Sequence, residues 1–364
     1  MTQFLTHSRC EAFKVCRRKH WFAYEIALRR TVDAKALRMG SAFHAGLEHL
    51  QDGLDLAVGA LIEYYKYCPP IIDPDDWQIE LETITRLVCG YAWRWTDDNL
   101  EHVATEQTFR LPLRNPDTGK STPNFEFAGK IDGIVRLEDG RLAVLEHKTT
   151  SESLSSDSLL WKRLRIDTQS SLYMLAAREL GYDVSTVLYD VVRKPMIRPS
   201  NIPVVDVDGL KIVTDQNNVR VFTKAGQPRQ SADAKQGYTL QTRRMTPTEW
   251  GERLNEDIGN RPDWYFARTE VPRLDDELNE CRQELWDIQK SLRDAQRNNR
   301  WYRTCNRDTC AWCSYFDLCS AKFNPTFDLV PEGFEYVTDI HPELGDSNGE
   351  TATPTSIDET AASK

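Results

Sequence analysis

The sequence of 364 residues contains no apolar run near the roughly 18 residues that a membrane helix needs, which argues against a spanning protein. Residues 1–22 lack the continuous apolar core of a secretory leader, so the expected compartment is the cytoplasm. Positive charge is also short. There are 46 Lys and Arg against 56 Asp and Glu, a net charge of −10. Much of that deficit is local, because residues 331–364 hold eight acids against one base, Lys364. Residues 1–330 therefore carry about −3, and overall charge excludes neither nucleic acid nor acidic substrates. Nine cysteines without an export signal are expected to be reduced, and a cluster of them reads as metal ligands before disulfides.

Hydrophobic spacing predicts a helix over 40–66 through Phe43, Leu47, Leu50, Leu54, Val58 and Leu61. Strand-like alternation covers 103–113, 125–137 and 142–148, with Glu138-Asp139-Gly140 as the turn between the last two. A helix over 169–180 closes on Gly181, and 184–192 is β-rich. Residues 195–261 mix Pro, Gly and Gln with short β-like runs and stay unassigned. From 272 to 300, Leu274, Leu278, Cys281, Leu285, Ile288, Leu292 and Ala295 step by four and three. They mark a long helix packed on its own domain, with a coiled coil as the alternative. From 345 onward Gly, Ser, Thr, Pro and acids dominate, which predicts a disordered tail.

One string imitates a nucleotide-binding loop. Asn115-Pro116-Asp117-Thr118-Gly119-Lys120-Ser121-Thr122 ends like a P-loop, but Arg114 stands where the first Gly belongs and Pro123 forbids the required helix. It reads as a polar hairpin loop.

The chemistry concentrates elsewhere. Gly129-Lys130-Ile131-Asp132-Gly133 precedes Glu146-His147-Lys148, and period-two geometry puts Glu146 and Lys148 on one strand face. A two-residue Asp139-Gly140 turn would send Asp132 to the opposite face. A three-residue loop with Gly140 left-handed would set Asp132 opposite Glu146. Two acids converging there suit a hard divalent cation with phosphate oxygens and water around it. Alone, the pattern reads more readily as a surface ion pair. Around it stand Gly40-Ser41-Ala42-Phe43-His44, with His44 and Glu48 on one helical face, and Gln169 with Tyr173 four positions on.

His, Asp, Glu-x-Lys and Gln-x-x-x-Tyr in this order resemble the RecB-like branch of the PD-(D/E)XK nuclease superfamily. Within it, the chain looks like the iron–sulfur exonucleases that include the AddB nuclease domain and the CRISPR-associated RecB-like exonucleases. The resemblance implies an α/β, restriction-endonuclease-like core: a central mixed sheet flanked by helices over residues 1–330, with an acidic tail beyond. It implies His44, Asp132, Glu146 and His147, through its carbonyl, as ligands of Mg²⁺ or Mn²⁺. It implies Lys148 as catalytic, Gln169 and Tyr173 near the scissile phosphate, and a lesser role for Glu106. Residues 195–300 match no motif of the family.

By spacing, Cys310, Cys313 and Cys319 form a triplet whose fourth partner could be Cys305, Cys10 or Cys16, around zinc or a four-iron cluster. The resemblance implies Cys16, Cys310, Cys313 and Cys319 around [4Fe-4S], which would clamp the N-terminus to the C-terminus. The implied activity is metal-dependent exonucleolytic cleavage of DNA, on single-stranded ends, in recombination, repair or phage/CRISPR-type processing. A helicase or a recombination or integration factor is the expected partner, with no membrane. The alternatives are an accessory nuclease-fold DNA-binding protein and a zinc-bearing DNA-binding module.

Overall fold

The computed structural model describes residues 2–98, 100–325 and 329–345. The single domain expected over 1–330 is organised as two compact units, residues 1–40, 97–192 and 266–364 in the first, 41–96 and 193–265 in the second. Among the described residues no helix is long and apolar enough to cross a membrane.

The strands of the first unit are β1 (Gln3–Leu5), β2 (Leu28–Arg30), β3 (Glu101–Arg114), β4 (Ser121–Arg136), β5 (Leu142–Thr150), β6 (Val184–Arg193), β7 (Phe266–Pro272) and β8 (Phe334–Tyr336). Six of them form a mixed sheet in the order β1-β4-β5-β6-β7, with β3 on the other edge of β4. One edge of β4 is shared: β1 runs parallel to it at Phe125–Phe127, and β5 antiparallel from Gly133 to Arg136. The P-loop-like string is the turn between β3 and β4. There Asn115 Oδ1 accepts the N–H groups of Asp117 and Thr118 at 2.8 and 3.0 Å, an Asx turn that leaves no helix N-terminus.

Alternation along β4 buries Phe125, Phe127 and Ile131 under three helices: α1 (His7–Val15), α2 (Thr168–Glu179) and α3 (Asp275–Asn298). At steps of three and four along α3, Leu278, Cys281, Leu285, Leu292 and Ala295 enter this core, with Ile288 partly buried against it. The heptad seam therefore packs on its own domain; each fully buried Leu contributes about 1.5–3 kcal/mol.

Two expectations change. The helix expected over 40–66 is two helices, Lys35–Glu48 and Leu54–Tyr64, because Gly53 takes φ +135°, a conformation side chains forbid. The stretch 331–345, expected to begin an acidic tail, pairs β8 antiparallel to β2 and buries His341 and Leu344. Its apolar side chains outweigh its acids locally. The remainder of that expected tail, 346–364, lies outside the described residues.

In the second unit the helix Pro74–Arg94 is capped by Asp73 and packs on the helix Pro247–Asn260, which Thr246 and Glu249 close with a capping box. Trp250 is buried there and its indole N–H donates to Thr83 Oγ1 at 2.9 Å. Residues 201–244 form two short antiparallel ribbons and a series of turns.

Candidate active site

Leu137 N–H donates to the Arg141 carbonyl, enclosing a three-residue loop of Glu138, Asp139 and Gly140, the last at φ +87°. This is the odd-length turn, and its register runs Arg136↔Leu142 to Gly133↔Leu145. One step further, Asp132 stands opposite Glu146. The backbone ladder ends there, and the next cross-strand link is a side chain: His147 N–H donates to Asp132 Oδ2 at 2.8 Å.

Lys148 lies beside Glu146, with Nζ 2.8 Å from Oε1, and donates to Gln169 Oε1 at 2.6 Å. Asp167 Oδ2 is 3.6 Å from the same ammonium. Burial alone would lower the Lys148 pKa, but Glu146 and Asp167 more than compensate and raise it. Lys148 is therefore a cation here, suited to holding negative charge or a water and unsuited to taking a proton. Burial raises the Asp132 carboxyl to about 7, helped by the charge of Glu106 and opposed by His147 N–H and the two lysines.

The helix α2 supplies the rest. Asp167 caps it by accepting Gln169 N–H at 3.0 Å, so one residue both fixes the helix start and touches Lys148. Gln169 hydrogen-bonds Tyr173 one turn on, and burial holds the Tyr173 phenol protonated, as a donor. Asp167 was missed in the sequence, although Asp-Thr-Gln before an apolar-periodic run is an N-cap signal.

Two neighbours explain the surrounding motif. Glu106 sits in β3 between Thr105 and Gln107, which pair with Gly133 and Ile131, so it flanks Asp132. Its φ of +49° is strained for a side-chain residue in a strand, and it forms an ion pair with Lys130. Gly129 lies where a Cβ would come within 2.8 Å of Phe109 Cζ and 3.2 Å of Tyr173 Cε1.

Asp132, Glu146, Lys148, Gln169 and Tyr173 thus come together. His147 is the neighbour whose ring faces away: its Nδ1 is 3.9 Å from buried Asp190, which Arg268 holds at 2.6 Å. His44 is a half-buried residue of the helix Lys35–Glu48 and belongs to the second unit. Gly40, one turn before it, lies in the first unit, where a Cβ would be 3.4 Å from Thr149 Oγ1 at the end of β5.

Among the cysteines, Cys16 Sγ accepts the Thr304 N–H at 3.4 Å while the Cys310 thiol donates to the Thr304 carbonyl at 3.9 Å. Cys319 is near enough to Cys16 and Cys313 for their charges to raise its pKa, after the larger effect of burial. Cys10 is turned into the main core, where burial pushes its thiol up to about 12, and Cys305 is exposed. Among the described residues no group of three or more His, Cys, Asp or Glu side chains is set to hold a metal ion.

With this arrangement in view, residues 5–320 match the profile of the PD-(D/E)XK nuclease superfamily. The chain belongs to that superfamily, a class of nuclease-fold proteins. A solved structure titled "Crystal structure of SSO0001" is similar at 12% identity and a TM-score of 0.29, over 80% of this chain and 86% of that one. No curated protein matches the chain.

Proposed function

We propose that the protein is a metal-dependent deoxyribonuclease that degrades single-stranded DNA from its ends. The observation that carries this reading is the convergence of Asp132, Glu146 and Lys148 at the end of one hairpin, under Gln169 and Tyr173. Two hard carboxylate donors, one of them costly to bury charged, suit a divalent cation that would offset that cost. Mg²⁺ or Mn²⁺ held by Asp132 and Glu146, with the His147 carbonyl as a further ligand, would polarise the phosphodiester and acidify water. The ammonium of Lys148, fixed by Glu146 and Gln169, is placed to balance negative charge growing on the phosphate. Tyr173 keeps its proton and can donate to a phosphate oxygen.

Cys16, Cys310, Cys313 and Cys319 are proposed to hold a [4Fe-4S] cluster. The meeting of Cys16 and Cys310 on Thr304 supports that donor set over Cys10 or Cys305. A cytoplasmic role in recombination or repair, beside a helicase or integration factor, follows from the branch resemblance alone. The test is digestion of end-labelled single- and double-stranded DNA with Mg²⁺ or Mn²⁺. Glu146→Ala should abolish cleavage while DNA binding survives. Equal cleavage by the variant would sink the reading.

A further inference from the structure

One cavity of the first unit is lined by none of the residues of the acidic pair, although Cys319 forms part of its wall. It measures about 380 Å³ and is lined by Arg18, Trp21, Trp301, Arg303 and Lys322, among others. Its charged lining is of one sign, three cations and no carboxylate. That is unusual in a chain of net charge −10, where Arg141, Arg243, Arg244 and Arg261 each hold an acid. Among the described residues none of the three cations is held in an ion pair.

The walls are fixed before any ligand arrives. Arg18 is pinned through its N–H to the Tyr302 carbonyl at 3.1 Å, and its guanidinium lies 5.1 Å from the centre of the Trp21 ring. Its Nε is buried without a hydrogen-bond partner. Trp301 is stacked on His20 at 5.6 Å and tied through its indole N–H to Asn299 Oδ1 at 2.9 Å. Lys322 holds a left-handed backbone at φ +58°, a conformation strained for a residue with a side chain. Guanidinium forks, a point-charge ammonium and flat apolar rings are what a phosphate with its attached nucleoside requires.

We propose that this pocket is a phosphate subsite for a nucleic-acid strand, with Arg18, Arg303 and Lys322 on the phosphate oxygens. The proposal rests on the nuclease reading, since it takes the strand to be the substrate. Phosphate chemistry could equally come from a free anion, and the experiment separates the two.

The test measures binding of a labelled oligothymidylate to full-length Glu146→Ala protein as salt is varied, with and without Arg303→Ala/Lys322→Ala. Both side chains are exposed, and a thermal melt checks that the fold persists. Losing two phosphate contacts on a single strand should flatten the log–log salt slope by about 1.4 and weaken binding about 25-fold at 0.1 M salt. Arg303→Lys/Lys322→Arg should restore both. Removing the exposed pair Arg114 and Lys120 at the hairpin loop, an equal change in net charge, should leave the slope alone. An unaltered slope in Arg303→Ala/Lys322→Ala overturns the subsite while the nuclease reading stands. Loss of competition by inorganic phosphate with an unaltered slope assigns the pocket to a free anion and likewise overturns it. Native protein that neither cleaves nor binds the oligonucleotide removes the nuclease reading, and this proposal with it.

Discussion

Gly129→Ala tests whether the glycine of the acidic motif is there for space. The added Cβ would stand 2.8 Å from Phe109 Cζ, 3.0 Å from its Cε1 and 3.2 Å from Tyr173 Cε1. Ordinary carbon contacts lie near 3.5–4.0 Å, so the Phe109 ring must retreat by roughly 0.7 Å or more. It has little freedom to do so, being 2% exposed and packed against Phe127 at 4.9 Å between ring centres. Overpacking of this kind costs about 1–3 kcal/mol. Calorimetry should register it as a melting shift of about 2–6 °C. Phe109→Leu removes the clashing atoms, and on its own should cost about 1–2 kcal/mol through the cavity it leaves. Combined with Gly129→Ala it should cost no more than it does alone, a coupling of at least about 1 kcal/mol. Activity should follow, because the same Cβ presses on Tyr173. Additive penalties would refute the argument, and so would a silent Gly129→Ala.

Asp132 and the cysteines give two further predictions. The folded Asp132 carboxyl titrates at about 7 against an ordinary 3.8, so in metal-free protein its stabilising contribution is complete below pH 3.8 and fades as pH rises through 7. Denaturant titrations in chelator should show wild type losing up to roughly 4 kcal/mol relative to Asp132→Asn across that window, and parallel curves would contradict it. Cys16→Ala should lose iron, sulfide and the absorption near 400 nm, while Cys10→Ala and Cys305→Ala keep them. The reverse pattern would make the site a local C-terminal knuckle.

The hairpin at the site was legible to within two turn lengths, both of which use Gly140, and the three-residue loop that forms decides which side chains meet. Gln169 and Tyr173 were legible through a one-turn helical step. What escaped has physical causes too. Glu106 is a strand residue by pattern, and nothing in its neighbours announces a left-handed φ. Asp167 looked like any surface acid until its cap and its distance to Lys148 were known together. Gly53 broke a helix that apolar spacing alone carried straight through. Acidity hid the pairing of β8, since charge counts say nothing about Phe334 and Tyr336 finding a strand edge three hundred positions earlier.

That pairing has a consequence for how the chain is made. The guanidinium of Arg29 waits for the carbonyl of Ile340, 311 positions downstream, and β2 has no strand partner until β8 emerges. Phe22 and Leu28 are likewise covered by Tyr315, Leu318 and Phe323. Until residues 315–336 emerge, then, Phe22, Leu28 and β2 lack their cover beside a run of cations, while all six strands of the main sheet have already been made. A chain halted before residue 334 would keep the hairpin that brings Asp132 to Glu146 and leave β2 as an open strand edge for chaperones and proteases.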